Sequence, residues 1–452
     1  MIAKKKVGMV SLGCPKNLVD SEVMMGLLAR QGYEITNDSR AADVLVVNTC
    51  GFIDSARQES VETILEMAQL KQTGNLKRLI VAGCLVERYR DELQREIPEI
   101  DSCIGVNQLK QIEAVVEPTG HRVLPVYSDG AAAPELFLYD ETTPRLRATA
   151  PFTAYVKIAE GCDHTCAFCI IPKLRGVFRS RSPESILNEV EMLAAQGVKE
   201  FVLISQDTTN YGADLGLTNG LARLLDSIAN VRGVEWLRFL YCYPTAITDE
   251  LLEVMASRPN VCNYFDIPLQ HASRQLLARM RRGGNRDAYE RMIRRIRERV
   301  PGVAIRTTFI VGFPGESTKD FEELLDFVRV GQFDRVGVFT YSDEENSAAF
   351  DLGDKVDSAI ARRRVQRLMK EQARISRRRN SRLVRTRVKV LLEGKSKESD
   401  LLLEGRMESQ APEIDGSVLI NDLHEGRDVR PGDFVTVEIT EAQEYDLIGR
   451  IC

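Results

Sequence analysis

The sequence predicts an α/β protein in three parts: an N-terminal open parallel-sheet α/β domain, a central partial (β/α)6 barrel, and a small C-terminal β-barrel. Three observations lead to this. Short continuous apolar runs alternate with amphipathic stretches over residues 1–117 and again over 149–345, the pattern of parallel strands covered by helices. Pro118, Pro125, Pro134 and Pro144, with Gly120 and Gly130, interrupt that alternation and mark a linker. Towards the C-terminus the helical period gives way to short β-like runs parted by Gly-containing turns. The expected boundaries are 1–117, a linker at 118–148, 149–380 and 381–452.

The bulk properties agree. A chain of 452 residues exceeds one ordinary domain. Hydrophobic residues at 44% provide for a real core, and a net charge of −5 gives no general attraction for polyanions. No apolar run approaches the roughly 20 residues of a membrane span. The lysines of Met1–Lys6 are not followed by the apolar h-region of a signal peptide, so the expectation is a cytoplasmic protein without a membrane partner.

In the first part, strands are expected at Lys6–Leu12, Asp43–Asn48, Leu79–Ala82 and Ser102–Gly105. Helices are expected at Leu18–Gln31, Asp54–Gln72, Val86–Glu96 and Gln108–Val116, with Asp54 as an N-cap. In the second, strands are expected at Phe152–Ile158, Glu200–Ser205, Trp236–Tyr241, Tyr264–Ile267, Ala304–Val311 and Arg335–Thr340. Helices such as Pro183–Gln196 and Thr318–Val330 fill the gaps, and chemistry belongs at the C-terminal mouth of such a barrel. Ile360–Val388 reads as a helix with twelve Arg or Lys and one acid. Arg387–Leu392, Ser417–Ile420 and Phe434–Ile439 read as strands of the last part.

The cysteines carry the chemistry. Cys162, Cys166 and Cys169 form a C-x3-C-x2-C loop directly after the first barrel strand. Three thiolates there can hold three irons of a 4Fe–4S cube, leaving the fourth open to S-adenosylmethionine (SAM) and its reductive cleavage to a 5′-deoxyadenosyl radical. Zinc is the competing reading, but it prefers four ligands, and His164 lies inside the loop where its reach is poor. The loop resembles those of the radical SAM superfamily. By that resemblance the residues after the other strands, Gln206, Asp207, Gln270, Gly312 and Gly315, would hold SAM; a glycine-rich turn lets backbone approach a ligand closely.

Cys14, Cys50 and Cys84 follow three successive strands of the first part, whose C-terminal ends line the crevice of an open parallel sheet. Three converging thiolates again leave a coordination position open. Softness permits zinc or iron–sulfur; beside a radical SAM barrel a second 4Fe–4S cluster is favoured. Cys103, Cys242, Cys262 and Cys452 fit neither trio and read as buried small hydrophobes or surface thiols.

Longer stretches now point to one family. Ser11–Glu22 (SLGCPKNLVDSE), Asn48–Ala56 (NTCGFIDSA), Ile204–Thr208, Asp266–Ser273 and Pro412–Gly416 resemble the methylthiotransferases. Those enzymes join a three-cysteine domain, a radical SAM barrel and a TRAM β-barrel, and the chain looks most like the members that modify a ribosomal-protein aspartate. The related tRNA enzymes, which act on a modified adenosine, typically carry Gln-Met-Asn where this chain has Pro15-Lys16-Asn17.

The resemblance implies two 4Fe–4S clusters and SAM as cofactors. The substrate would be an aspartate of small-subunit ribosomal protein twelve, free or in the assembled subunit. The deoxyadenosyl radical would take hydrogen from the aspartate Cβ, and the carbon radical would attack a sulfur on the N-terminal cluster. A second SAM would have methylated that sulfur beforehand. A sulfur donor and an electron donor would be needed.

The basic Ile360–Val388 segment could contact ribosomal RNA, while the Arg274–Arg299 run reads as an ordinary barrel helix. Glu413, Asp415, Asp422 and Asp433 would suit a basic ribosomal-protein surface.

Overall fold

The computed structural model describes residues 5–117, 137–397, 399–422 and 428–452. In the first part, parallel strands Lys6–Ser11, Glu34–Thr36, Val44–Thr49, Arg78–Gly83 and Ser102–Ile104 form one five-stranded sheet. The spatial order places Lys6–Ser11 beside Val44–Thr49, and Val44–Thr49 beside Arg78–Gly83. Strand Glu34–Thr36 escapes the sequence reading because three residues show no period. The helices are Pro15–Arg30, Asp54–Thr73, Cys84–Glu96 and a short Ile112–Val116 preceded by a 3-10 turn at Leu109–Gln111. Asp54 is not the N-cap: Ile53 occupies that position without a side-chain bond, and Asp54 opens the first turn. A carboxylate there still favours the positive helix end.

Residues 118–136 of the expected linker lie outside the described residues. The remainder of that stretch is packed rather than slack. Tyr139 is buried, and Leu146 N–H donates to Glu22 O at 2.9 Å. A Cβ on Gly26 would lie 2.4 Å from the Pro144 carbonyl, so only glycine admits this crossing of helix Pro15–Arg30.

The second part holds six parallel strands, as expected: Thr153–Lys157, Glu200–Ile204, Trp236–Phe239, Tyr264–Asp266, Ala304–Val311 and Arg335–Thr340. They pair as two three-stranded sheets joined by a bridge between Leu237 and Val261. Alternate residues go to opposite sides. Val156, Leu203, Phe239 and Phe265 pack with the surrounding helices. Tyr155, Val202, Trp236 and Tyr264 belong instead to a core that also contains Val19 and Val46 of the first part and Leu391 and Ala411 of the last. The three parts thus meet in one shared hydrophobic cluster, while each keeps a core of its own.

Helix Ser358–Ser381 ends before the expected Val388, and Arg387 already opens a strand. The basic composition continues across a change of structure, which blurred the boundary. Strands Arg387–Lys395, Leu403–Arg406, Val418–Asp422, Phe434–Ala442 and Leu447–Ile451 close a five-stranded barrel. It packs at the N-terminal ends of the central strands: Lys199 Nζ donates to Gly432 O at 2.6 Å, and Trp236 meets Phe434 edge to face. Glu200, fully buried, accepts from Arg406 Nη2 at 2.6 Å and lies 3.3 Å from Arg238 Nη2. Glu200→Ala would leave the buried Arg238 guanidinium without a carboxylate and Arg406 with Glu393 alone. We expect about 3–5 kcal/mol of destabilisation, read as a lowered denaturant midpoint, with Glu200→Gln affected less.

One expectation about this barrel is overturned. Asp415 does not face solvent. Its carboxylate accepts from Tyr264 Oη at 2.7 Å and Ala411 N at 2.9 Å, and its side chain is 1% exposed beside Arg306. The Pro412–Gly416 turn fastens this barrel to the central one. Glu413 and Asp422 remain exposed, while Asp433 lies 3.8 Å from Lys199.

Candidate active site

Register explains why the first three cysteines meet. Ser11 pairs with Asn48, Asn48 with Ala82, and Thr49 with Gly83. Cys50 and Cys84 therefore follow directly in register at the C-terminal edge, and Cys14 stands as N-cap of the helix after the first strand. Gly13 shows how close the turns come: a Cβ on it would lie 2.7 Å from Cys50 Cβ. Asn17 ties the turns together, its amide donating to Leu12 O at 3.1 Å and Thr49 O at 2.9 Å.

Cys162, Cys166 and Cys169 lie on the loop after the first barrel strand, as expected. A two-strand clip, Ala159–Glu160 against Arg179–Ser180, closes its base. Gly161 sits in this clip at φ +84, where a Cβ would lie 2.0 Å from Val177 O. Cys162 N–H donates to Gly176 O at 3.1 Å, and Arg282 Nη1 reaches Cys166 Sγ at 3.5 Å. His164 turns from the thiols: Nε2 lies 2.6 Å from Asp207 Oδ2, and its ring stacks on Tyr243 at 3.7 Å.

Among the described residues, no three His, Cys, Asp or Glu side chains gather as they would around one metal ion. A cube distributes three thiolates over three irons instead. Burial pushes the Cys162 thiol up to about 11, and the Cys169 and Cys84 thiols up to about 12. Burial also raises Cys50. At Cys14 burial acts upward too, but Lys16, Arg175 and two backbone N–H groups outweigh it and the thiol is lowered. Metal binding would displace protons from such thiols and replace the lost solvation.

The two trios are joined by a short helix, Ile171–Arg175, which begins two residues after Cys169. Five residues span about 8 Å. Ile170 and Leu174 share an apolar cluster with Cys84 and Val106. At the far end Arg175, 2% exposed, donates to Asn17 Oδ1 at 2.6 Å and reaches Cys84 Sγ at 3.6 Å. Its other nitrogen donates to both Glu160 oxygens at 3.0 Å. Lys157 joins Glu160 at 2.7 Å and also pairs with Asp20. Glu22 accepts from Arg145 Nε at 2.8 Å. A second contact closes the opposite side, where Glu344, after the last barrel strand, accepts from Arg88 at 2.6 Å and pairs with Arg57. The first domain therefore caps the barrel mouth from two directions.

These charged residues went unread as functional, although Asn17, Asp20 and Glu22 lie in a motif the sequence displayed. Polar residues on every side of helix Pro15–Arg30 were the available signal. Lys16, Asn17, Asp20, Ser21 and Glu22 are all buried.

The expected SAM-side residues divide. Gln206 donates to Glu160, and its Oε1 is buried without a partner. Asp207 holds His164 and caps the turn Thr208–Asn210. Gln270 adopts φ +70 and bridges to Phe309. Gly312 has its N–H taken by Glu316, and a Cβ there would meet Ala361 at 2.7 Å. A Cβ on Gly315 would meet the Arg279 guanidinium at 2.8 Å. Packing and positive φ thus account for both glycines. Arg179, beside Glu160 in the clip, has all three guanidinium nitrogens buried without partners. Orphaned polar atoms beside the Cys162 loop fit a site for a zwitterionic ligand.

Cys103, Cys242 and Cys262 are buried in apolar clusters, as expected of structural thiols. Cys452 is partly buried, and its N–H donates to Thr436 O at 3.0 Å.

Comparison with known proteins agrees with this arrangement. Family profiles described as uncharacterized protein family UPF0004, radical SAM superfamily and TRAM domain match residues 6–105, 156–328 and 384–452. A protein of Solibacter usitatus is 53% identical over 448 residues, 99% of this chain and 94% of its own. One of Koribacter versatilis is 50% identical, covering 99% and 96%. One of Geobacter sulfurreducens is 48% identical, covering 99% of each. All three are named ribosomal protein uS12 methylthiotransferase RimO. Among solved structures, the radical SAM methyltransferase TsrM of Kitasatospora setae shares the fold at a TM-score of 0.54, with 15% identity over 75% of each chain. With its full length matched and its identity this high, the chain belongs to the RimO family of methylthiotransferases within the radical SAM superfamily.

Proposed function

We propose that this protein attaches a methylthio group to the β-carbon of an aspartate on ribosomal protein uS12, using SAM and two 4Fe–4S clusters. The observation that carries the reading is the pair of thiol trios joined by helix Ile171–Arg175 at a capped barrel mouth. Cys162, Cys166 and Cys169 would hold one cluster, and Cys14, Cys50 and Cys84 the other. When bound, the first with SAM supplies a deoxyadenosyl radical, and the second presents the sulfur to be transferred.

The chain's own residues then have defined tasks. Gln206, Asp207, Gln270, Gly312 and Gly315, with the orphaned Arg179, would line the SAM side. Arg175, Glu160 and Lys157 hold the two loops in one orientation. The first domain, by capping the mouth, excludes water from radical chemistry. An electron donor and a sulfur donor complete the requirements. Helix Ser358–Ser381 turns Arg363, Arg367, Lys370, Arg374 and Arg377 to solvent at helical spacing, a stripe suited to ribosomal RNA beside the protein substrate. No helix among the described residues is long and apolar enough to cross a membrane. The cytoplasm, where ribosomes are, is the compartment we propose.

The test is direct. Anaerobically reconstituted protein is given SAM, sulfide, a reductant and either uS12, small subunits or tRNA. Mass spectrometry should find the methylthio increment on the uS12 aspartate peptide. An increment on tRNA nucleosides with uS12 unmodified would refute the assignment.

A further inference from the structure

We propose that Lys16 recognises the carboxylate of the target aspartate and thereby selects an acidic side chain at this site. The inference rests on the uS12 reading above and adds the residue that would read the substrate. Lys16 lies two residues after Cys14, and its side chain is almost wholly buried. Its ammonium crosses to the barrel and stands 3.2 Å from the centre of the Tyr241 ring. It forms no hydrogen bond or ion pair among the described residues.

The surrounding carboxylates are already engaged. Glu160 serves Arg175, Lys157 and Gln206. Asp20 serves Lys157 and Arg175. Asp266 accepts from Arg306 Nη1 at 2.7 Å and from Tyr241 N at 3.1 Å. A buried ammonium is costly unless paired. A ring beneath it compensates only in part and leaves N–H donors unused.

The ring is placed with effort. Tyr241 sits at φ +64, which is uncommon for a bulky residue and persists only where surroundings enforce it. Asp266, holding the Tyr241 N–H, is that enforcement. The end of the third barrel strand is thus contorted to set an aromatic face under Lys16. Lys16 acts electrostatically on the Cys14 thiol, as Arg175 does on Cys84, yet among the described residues no acceptor takes a hydrogen bond from its ammonium.

The chemistry of an aspartate makes this position useful. Its β-carbon is bonded directly to the carboxyl carbon. A cation gripping the carboxylate between the sulfur-side trio and the mouth would fix the very carbon to be modified.

The experiment measures affinity of the reconstituted full-length protein for uS12 and for uS12 with its target aspartate changed to asparagine. Wild type should prefer the aspartate form by on the order of 10- to 100-fold, the range of a charge-assisted bond. Lys16→Met should bring that ratio close to one, with iron content and SAM affinity unchanged, and Lys16→Arg should keep part of the preference. A Lys16→Met protein that keeps the wild-type ratio overturns the inference. So does one that loses iron, or that weakens both forms equally, since Lys16 would then serve the cluster or the packing. If wild type binds neither form, the uS12 assignment falls and this inference with it.

Discussion

Changing Cys162, Cys166 and Cys169 together to alanine should remove about half of the roughly eight irons expected per chain and abolish SAM cleavage. Changing Cys14, Cys50 and Cys84 should also remove about half, yet leave some SAM cleavage uncoupled from methylthio transfer. The asymmetry follows from where the trios lie. The first stands on the barrel-mouth loop beside the orphaned nitrogens of Arg179 and Gln206 Oε1. The second belongs to the capping sheet. Both triple variants should fold, because each thiol lies in a loop or at a helix N-terminus beyond a strand end rather than within a strand. The measurements are iron and acid-labile sulfide per chain, ultraviolet–visible spectra, and 5′-deoxyadenosine by chromatography. Unaltered iron in the Cys14, Cys50 and Cys84 variant would end the two-cluster reading. SAM cleavage that survived loss of the Cys162 trio would move the radical chemistry elsewhere.

The sequence disclosed the cysteines because topology dictates their spacing. One thiol after each of three parallel strands must recur once per strand–helix unit, and a mouth loop must follow a strand. The six barrel strands were legible from their aromatic and β-branched residues and from the amphipathic stretches between them, which carried even the three-residue Tyr264–Asp266. The machinery between the trios was not. Lys16, Asp20 and Glu22 look like the solvent face of an amphipathic helix, and period alone cannot tell water from a second domain. The partners of Asp20 and Glu22, which are Lys157, Arg175 and Arg145, lie 120 to 160 positions away by sequence number, and no local signal connects such groups. Asp415 misled in the opposite direction, since an acid in a turn reads as exposed until Tyr264 and Arg306 are seen around it. Strands Ala159–Glu160 and Arg179–Ser180 are too short to carry a pattern.

Arg175→Met should separate the two halves of the reaction. The side chain is 2% exposed and bonds Asn17, Asp20 and Glu160 while touching Cys84. Without it, Asp20 and Glu160 keep Lys157 as their shared cation, so one buried negative charge is left over. Removing one member of a buried ionic set costs about 3–5 kcal/mol, and part of that cost can be relieved by letting the capping domain shift from the clip. The Cys162 loop is built on the barrel by Gly161, the Cys162 N–H and the Ala159–Ser180 pairing, none of which needs Arg175. Radical generation should therefore stay within a few-fold of wild type. Transfer needs substrate, SAM side and sulfur side held together, and an error near 1 Å can cost about 100-fold. The expected result is deoxyadenosine formed at nearly the wild-type rate with methylthio product about 100-fold lower. Arg175→Lys should recover part of the product by keeping the charge without the fork. If deoxyadenosine and product fall together, Arg175 supports the mouth loop itself, and the domain interface is not what couples radical formation to sulfur transfer.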